Sequence, residues 1–251
     1  MIRNLIFNGK DLLSFGFTFK EKPSRSVAER DLELVEVYGA DGAEILDSGG
    51  YKNVEEQYTI NSIPELNLKR SEQHIVDTLI DWLYSDGEYK ILRDTNNEGR
   101  FTYAVFKSPE KIENIAKGLH DTTITFSRKP FWYTDSGQEP IVYENNSKSI
   151  SVSLRNPEAY SSLPLIKVTA KDSFALNVNG TTMKVKSGEG VGEMIFDSEK
   201  LMVLRNGIEV SNLISGDYFP ISKPGENTIT VTSNTSNPIT KLEIVPRWRR
   251  L

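Results

Sequence analysis

The chain contains 251 residues, 37% of them hydrophobic, which is enough for one large or two modest soluble domains. It has no cysteine, so disulfides, thiolate nucleophiles and Cys-ligated zinc are excluded. The formal net charge of −5 arises in residues 1–130, which carry 17 Lys and Arg against 22 Asp and Glu; residues 131–251 carry 13 of each, so neither part has the basic composition of a protein that reads nucleic-acid sequence.

The N-terminal residues are not expected to form a signal peptide. Leu5, Ile6 and Phe7 are followed by Asn8-Gly9, and three consecutive apolar residues are too few for a signal-peptide core. No run elsewhere approaches the roughly 20 apolar residues of a membrane helix. We therefore expect no membrane insertion, and a protein that is made and kept in the cytosol. Asn8-Gly9 itself predicts a hairpin turn.

Two strands and a Gly-rich projection are predicted next. In the segment 15–19, the odd positions would place Phe15, Phe17 and Phe19 on one face of a strand. Residues 30–38 alternate charged and apolar side chains, which is typical of a second strand. Residues 39–50 contain four glycines in twelve positions, which predicts a long projecting hairpin or loop.

One helix is predicted in the first half. It begins after Ser71, a good N-cap residue, and its apolar stripe ends before Gly87. The stripe has helical spacing and consists of Ile75, Val76, Leu79, Ile80 and Leu83. Two strands are expected after the helix, over residues 89–94 and 101–107, and residues 120–126 are expected to close this unit.

A domain boundary is predicted at residues 134–140, whose polar composition with Gly137 and Pro140 is typical of a linker. No helix is expected beyond it. Short strands recur between turn signals, among them Asn179-Gly180, Asn206-Gly207 and Pro224-Gly225, the last of which fits a type II turn. This spacing predicts an antiparallel β-sandwich over residues 141–251.

No catalytic, metal-binding or cofactor-binding residue is predicted. Glu55 and Glu56 are adjacent on a strand and point to opposite faces, so we expect a solvated edge and not a facing carboxylate pair. His74 and His120 lie far apart and belong to no metal-ligand motif, and His74 is expected at the surface. The Gly-rich segment 187–192 lacks the Lys-Ser/Thr of a phosphate loop and predicts a hairpin end.

Two aromatic segments allow alternative interpretations. Phe131, Trp132 and Tyr133 could stack on a sugar or a base, although a wedge between the two domains is the favoured interpretation. Near the C-terminus, Trp248 lies between arginines and could bind an anion or nucleic acid. The favoured interpretation is that Trp248 packs at a strand end, while Arg247 and Arg249 pair with acidic groups across a contact between subunits.

Several segments, in this order, resemble siphophage distal tail proteins, the baseplate hub family often called Dit. The resemblance spans nearly the whole chain, although Tyr38 stands where the family is expected to favour Pro. Its motifs are Arg30-Asp31-Leu32-Glu33-Leu34-Val35-Glu36-Val37, Gly50-Tyr51-Lys52-Asn53-Val54, the segment 86–94, Thr122, Ile124 and Phe126 with Lys129-Pro130-Phe131, Asn156-Pro157, the segment 164–168, Pro224-Gly225-Glu226-Asn227 and Pro246-Arg247-Trp248.

The resemblance implies a mainly β structural protein of the phage virion, not an enzyme and without a cofactor. Residues 1–133 would form a β-rich domain that assembles into a hexameric ring, and residues 141–251 a galectin-like sandwich. The ring would join the tail tube protein to the tail-associated tip protein, and the sandwich would dock receptor-binding proteins or their adaptors. Genomic DNA would pass through the lumen without sequence-specific binding, and the virion would assemble in the host cytoplasm.

The resemblance also implies a projecting arm that packs on the neighbouring subunit. Ile45 and Leu46 support this interpretation, because two adjacent large apolar side chains in a polar projection require a surface that buries them. The predicted arm contact consists of Gly39, Ala40, Asp41, Gly42, Ala43, Glu44, Ile45 and Leu46, with a further C-terminal contact through Arg247, Trp248 and Arg249.

Two other functions compete with this interpretation. A galectin-like sandwich could be a carbohydrate-binding module that mediates attachment to the host surface. However, residues 141–251 show no convincing cluster of aromatic residues with His, Asn and Arg. A cell-wall hydrolase is the weakest alternative, since no nucleophile motif or facing carboxylate pair is present.

Overall fold

A computed structural model describes residues 4–21, 26–67, 70–84, 86–109, 122–189, 191–217 and 219–251. The fold is mainly β, as predicted. The chain divides into two compact units, the first formed by residues Met1–Trp132 with Leu251 and the second by residues Tyr133–Arg250. No helix among the described residues is long and apolar enough to cross a bilayer.

The first unit is built on an antiparallel sheet with strand order β2-β1-β7-β8-β9-β6-β3. A separate hairpin, β4 with β5, pairs with no other strand among the described residues. The strands are β1 (Leu5–Phe7), β2 (Lys10–Asp11), β3 (Phe17–Phe19), β4 (Arg30–Glu36), β5 (Ala43–Tyr51), β6 (Val54–Ser62), β7 (Lys90–Asp94), β8 (Arg100–Pro109) and β9 (Thr122–Arg128), with β10 (Trp132–Thr134) at the boundary of the units; the helices are α1 (Pro64–Asn67) and α2 (Glu72–Leu83).

Helix α2 covers one face of this sheet and confirms the predicted helix. The Ser71 side chain accepts a hydrogen bond from the His74 N–H, which satisfies one of the free amides of the first turn. The helix ends at Leu83, before Gly87, and the short helix α1 was not predicted. Buried among the strand side chains are Ile75, Leu79, Trp82 and Leu83.

The strand predicted over residues 15–19 begins later than expected. Phe15 ends a 3-10 turn, Leu12–Phe15, and Gly16 follows with φ of +80°, a left-handed conformation that interrupts an extended strand. Phe15 therefore does not share a face with Phe17 and Phe19. Its ring stacks instead on Trp82, with the centroids 4.6 Å apart.

The second unit consists of two antiparallel sheets with orders β11-β21-β13-β16-β17-β18 and β12-β20-β14-β15-β19. Their strands are β11 (Ile141–Ser147), β12 (Ser149–Asn156), β13 (Leu165–Lys171), β14 (Phe174–Val178), β15 (Thr181–Val185), β16 (Val191–Asp197), β17 (Met202–Arg205), β18 (Ile208–Glu209), β19 (Ile214–Gly216), β20 (Gly225–Ser233) and β21 (Ile239–Val245), followed by the short β22 (Arg249–Arg250). This arrangement confirms the predicted sandwich.

Alternating side chains of both sheets form the core of the sandwich. Ile166 and Ile244 come from one sheet, and Leu176 and Val231 from the other; each is buried. The turn signals behave as predicted, since Asn8-Gly9, Asn179-Gly180 and Asn206-Gly207 all have positive φ at both residues. Gly225 has φ of +82°, as the third position of a type II turn requires.

The segment 134–140, predicted as a linker, lies inside the second unit. Ser136–Gln138 form a 3-10 turn. Backbone hydrogen bonds join the segment to the C-terminal tail. The Arg247 N–H donates to the Gly137 carbonyl at 2.7 Å, and the Thr134 N–H to the Trp248 carbonyl at 3.0 Å. A Cβ atom on Gly137 would lie only 2.5 Å from the Trp248 nitrogen. The polar composition of the segment therefore reflects a tight, packed turn.

Candidate assembly site

The arm is the hairpin of residues 30–51, formed by β4 and β5 with a turn at residues 37–42. Gly39 and Gly42 both have φ near +85°, which explains why glycine occupies these turn positions. The turn carries Gly39, Ala40, Asp41 and Gly42 of the predicted contact, and β5 carries Ala43, Glu44, Ile45 and Leu46. All eight of these residues are exposed in the isolated chain.

The two strands of the arm give it two chemically different faces. Leu34 lies opposite Ile45 in the register, so these side chains share a face with Leu32. We call this the apolar face; it consists of Leu32, Leu34, Ala43 and Ile45, with Glu36 and Asp47 at its ends. Leu34 is 66% exposed and Ile45 63% exposed, so the face has no partner among the described residues.

The opposite, acidic face of the arm consists of Glu33, Val35, Glu44 and Leu46. Ile45 and Leu46 therefore point away from each other, because adjacent side chains alternate on a strand. A single surface cannot bury both of them from one side, contrary to the simplest form of the sequence prediction. Each face must be considered separately.

The arm also carries the net charge of the chain. Residues 30–51 contain six Asp and Glu and one Arg, which gives −5, while the other residues carry 29 acidic and 29 basic side chains. One of these carboxylates, Asp47, has partners within the arm. The Gly49 N–H donates a hydrogen bond to Asp47 and lowers its pKa, and the Arg30 guanidinium, 2.6 Å from the Asp47 carboxylate, lowers the pKa further. The rest of the arm charge faces solvent.

A buried ion pair lies in the sheet beside the start of the arm. Glu56 on β6 is 4% exposed, and its Oε2 accepts a hydrogen bond from Arg128 Nε on β9 at 2.9 Å. The prediction of a solvated edge is therefore wrong for Glu56, because its side chain lies on the buried face of β6. Burial raises the pKa of Glu56, although the Arg128 guanidinium and the Ser26 N–H act in the opposite direction.

The neighbouring Glu55 points outward and pairs with Lys107, as a solvated position should. The burial of Glu56 could have been read from the sequence. It has the same phase on β6 as Val54, Tyr58 and Ile60, all of which are buried.

The aromatic residues at 131–133 do not form a stacking platform, since all three are buried. Phe131 meets the Tyr51 ring edge-on with centroids 5.4 Å apart, and the Arg128 guanidinium lies 5.3 Å from the Trp132 ring. The Tyr133 hydroxyl donates to Glu199 at 3.0 Å, and burial raises the pKa of Tyr133.

The C-terminal tail is held within the second unit. Arg247 donates to both carboxylate oxygens of Asp197, at 2.6 and 3.3 Å, and the Arg249 Nε donates to the Ser161 carbonyl at 2.8 Å. These acceptors lie in the same chain, whereas acidic partners across a subunit contact were predicted. A contact with another protein through Arg247, Trp248 and Arg249 stays a prediction.

The stability of the second unit is expected to depend on pH through Asp197. Burial alone would raise its pKa, but Arg247 and the backbone N–H groups of Lys200 and Glu199 hold the pKa below the ordinary 3.8. Ionised Asp197 therefore stabilises the folded state above its ordinary pKa, and this contribution disappears as the pH falls through the folded-state pKa.

Asp197→Asn is expected to lower the free energy of unfolding at pH 7 by about 1.5–3 kcal/mol, because a charged hydrogen-bonded pair is lost. It should also flatten the decline of stability that occurs as the pH falls below the ordinary carboxyl pKa of 3.8. Urea unfolding at a series of pH values measures both effects. The control is Glu193→Gln, which neutralises an exposed carboxylate on the same strand. Equal pH profiles for Asp197→Asn and the wild type would contradict this assignment.

The outer face of the five-stranded sheet bears on the carbohydrate-binding alternative. Ser149 and Ser151 on β12 hydrogen-bond Thr232 and Thr230 on β20, and Asn177 continues the row on β14. These small hydroxyl and amide groups present no aromatic ring on which a sugar could stack. The described strands β12, β20 and β14 therefore do not favour that alternative.

The described residues also contain no group of three or more His, Asp or Glu side chains placed to hold a metal ion. His74 is exposed on α2, as expected, and His120 lies outside the described residues.

No protein-family model matches the chain, and no curated protein matches it. Solved structures do match the chain. The crystal structure of the SPP1 Dit (gp 19.1) protein, described as a paradigm of the hub adsorption apparatus in phages that infect Gram-positive bacteria, is 18% identical with a TM-score of 0.74, and each chain covers 100% of the other.

A second structure, the phage P2 baseplate in its activated conformation with Ca, is 10% identical with a TM-score of 0.52, over 100% of this chain and 99% of that chain. At these identities the comparison establishes the fold. Both units of the chain thus have the fold of a Dit hub protein, and the resemblance predicted from the sequence is confirmed at that level.

Proposed function

We propose that the chain is a structural virion protein, a distal tail or baseplate hub that forms a ring of six subunits. The observation that carries this proposal is the full-length similarity of fold to the SPP1 Dit hub protein. A similarity that covers both units from end to end supports the whole architecture more strongly than a match to one common sandwich would. No catalytic role is proposed.

The arm supplies the contact that such a ring needs. Leu34 and Ile45 expose their side chains side by side, and burying each at a neighbour would contribute about 1.5–3 kcal/mol. An arm that docks on a different surface of the next copy makes a heterologous contact, and such contacts close into a ring when the rotation between copies is a full turn divided by a whole number, with no translation along the axis. We propose that the apolar face is the side that docks.

The remaining partners follow from the same proposal. The ring would join the tail tube protein to the tail-associated tip protein, with DNA passing through the lumen. The sandwich, proposed to be galectin-like, would dock a receptor-binding protein or an adaptor. The protein would reside at the tail tip of the virion after assembly in the host cytoplasm.

The test is the size and shape of the purified assembly. Six chains of 28.3 kDa give about 170 kDa. Light scattering across a concentration series, with and without the tip partner, should detect this mass, and negative-stain microscopy should show closed rings. A protein that stays monomeric under all of these conditions would contradict the proposal.

A further inference from the structure

We propose that the buried Glu56–Arg128 pair is a positioning device that fixes the direction of the arm by holding both of its ends. The inference rests on the proposed function only for its effect on ring assembly. Its effect on the arm itself can be measured in a single copy.

The first end of the arm is held at Ser26, four residues before β4. Arg128 Nη2 donates to the Ser26 carbonyl at 2.7 Å, while Glu56 accepts the Ser26 N–H. Both backbone polar groups of one residue are thus bonded to the two members of a buried ion pair. Charged hydrogen bonds of this kind are stronger than neutral ones, so Ser26 is firmly located.

The second end is held through residues 129–131. Arg128 Nη1 donates to the carbonyls of Lys129 and Pro130, at 3.1 and 3.0 Å, which fixes the backbone entering Phe131. The Phe131 ring then meets Tyr51, the last residue of β5. One guanidinium therefore locates the start of the arm directly and its end through Phe131.

Sheet stability does not require an ion pair at this position. Apolar residues with the same phase on β6, such as Val54 and Tyr58, fill equivalent positions. Replacing a buried ion pair by well-packed apolar residues of similar volume is often neutral or stabilising, because the cost of removing two charges from water is avoided. Such a replacement would remove the hydrogen bonds to Ser26, Lys129 and Pro130, together with the contact of the guanidinium with the Trp132 ring.

The experiment uses the double variant Glu56→Leu/Arg128→Met. The chain has no cysteine, so spin labels can be attached at Ala40→Cys on the arm turn and Asp81→Cys on α2, both exposed positions of the first unit. Electron-electron distance measurements report the arm direction, at a protein concentration at which light scattering detects single copies only. The control is Glu55→Leu/Lys107→Met, which removes the outward-facing ion pair of the same sheet.

We expect a narrow distance distribution in the wild type and the control, and a distribution at least twice as wide in the double variant. The double variant should stay folded but lose some thermal stability, because the carbonyls of Ser26, Lys129 and Pro130 lose their donor, while its ring assembly should require at least tenfold more protein, equivalent to about 1.4 kcal/mol. A narrow distribution in a folded double variant would overturn the inference. A wild type that forms no ring, combined with a broadened variant, would instead refute the proposed function alone.

Arg128→Lys provides a second variant in case the double variant does not fold. It keeps a positive charge beside Glu56, but its single ammonium cannot reproduce the planar fork that reaches Ser26, Lys129 and Pro130 together. Broadening of the arm distances is expected here as well. An unchanged distribution in Arg128→Lys would count against the positioning role.

Discussion

Leu34→Thr/Ile45→Thr is expected to weaken the association of copies by more than tenfold while each copy stays folded. The two residues lie opposite each other on the apolar face and are mostly exposed in the single chain, so their loss removes apolar area only at a contact. A loss of more than 1.4 kcal/mol for each junction corresponds to a factor above ten. Threonine keeps a high β propensity, which preserves the hairpin.

The control is Val35→Thr/Leu46→Thr, which makes the same number of substitutions to threonine on the acidic face of the same strands. Mass photometry and light scattering across a concentration series should show rings for the control and single copies for the apolar-face variant. If the control loses rings and the apolar-face variant keeps them, the wrong face has been assigned. If both assemble like the wild type, the arm does not hold the ring together.

Trp82→Ala is expected to destabilise the first unit by about 3–5 kcal/mol and to leave the second unit unchanged. Trp82 is 1% exposed, its ring packs on Phe15 and Phe7, and its Nε1 donates to the Phe7 carbonyl at 2.9 Å. The substitution opens a cavity and also leaves that carbonyl without its partner, so both costs add.

The corresponding change in the second unit is Phe174→Ala, which removes a fully buried ring that packs on Phe196. Two unfolding transitions are expected by calorimetry, with Trp82→Ala lowering one and Phe174→Ala lowering the other. Asp81→Ala, exposed on α2, serves as a control with an expected change within about 0.5 kcal/mol. A single transition that moves with both core variants would show that residues 1–133 and 141–251 are not separate folding domains.

Turns and helices whose cause lies in neighbouring residues could be predicted from the sequence. The three Asn-Gly pairs demand positive φ and therefore predicted hairpin turns at the correct residues. The stripe from Ile75 to Leu83, with Ser71 before it, predicted α2 because cap and periodicity agree.

Features that depend on distant contacts were missed or misassigned. Nothing local to Glu56 reveals Arg128, which lies 72 residues away, and the phase of β6 alone would have indicated burial without a partner. Strand β11 has no regular alternation, because Glu144 and Asn145 interrupt it, and the strand is defined by its pairing with β21. Residues 134–140 have a polar composition typical of linkers, but they form a turn that packs on the C-terminal tail.

The prediction of the arm also has one part that follows from local composition and one part that depends on strand pairing. Exposure of apolar residues in the segment 39–46 was foreseeable from composition, and two adjacent residues on one strand, such as Ile45 and Leu46, must point to different faces. Which residues of β4 share a face with each of them depends on the register of β4 against β5. A shift of one residue would place Glu44 or Leu46, in place of Ile45, opposite Leu34, and neither strand alone specifies that register.

The concentration of negative charge on one hairpin also affects how copies meet. Two copies that approach arm to arm bring like charges together, and this repulsion extends about 8 Å at physiological ionic strength. An arm that approaches the electrically balanced remainder of another copy meets no such net repulsion. Head-to-tail encounters are therefore favoured kinetically over symmetric pairing, and the chain is steered away from closed two-fold dimers.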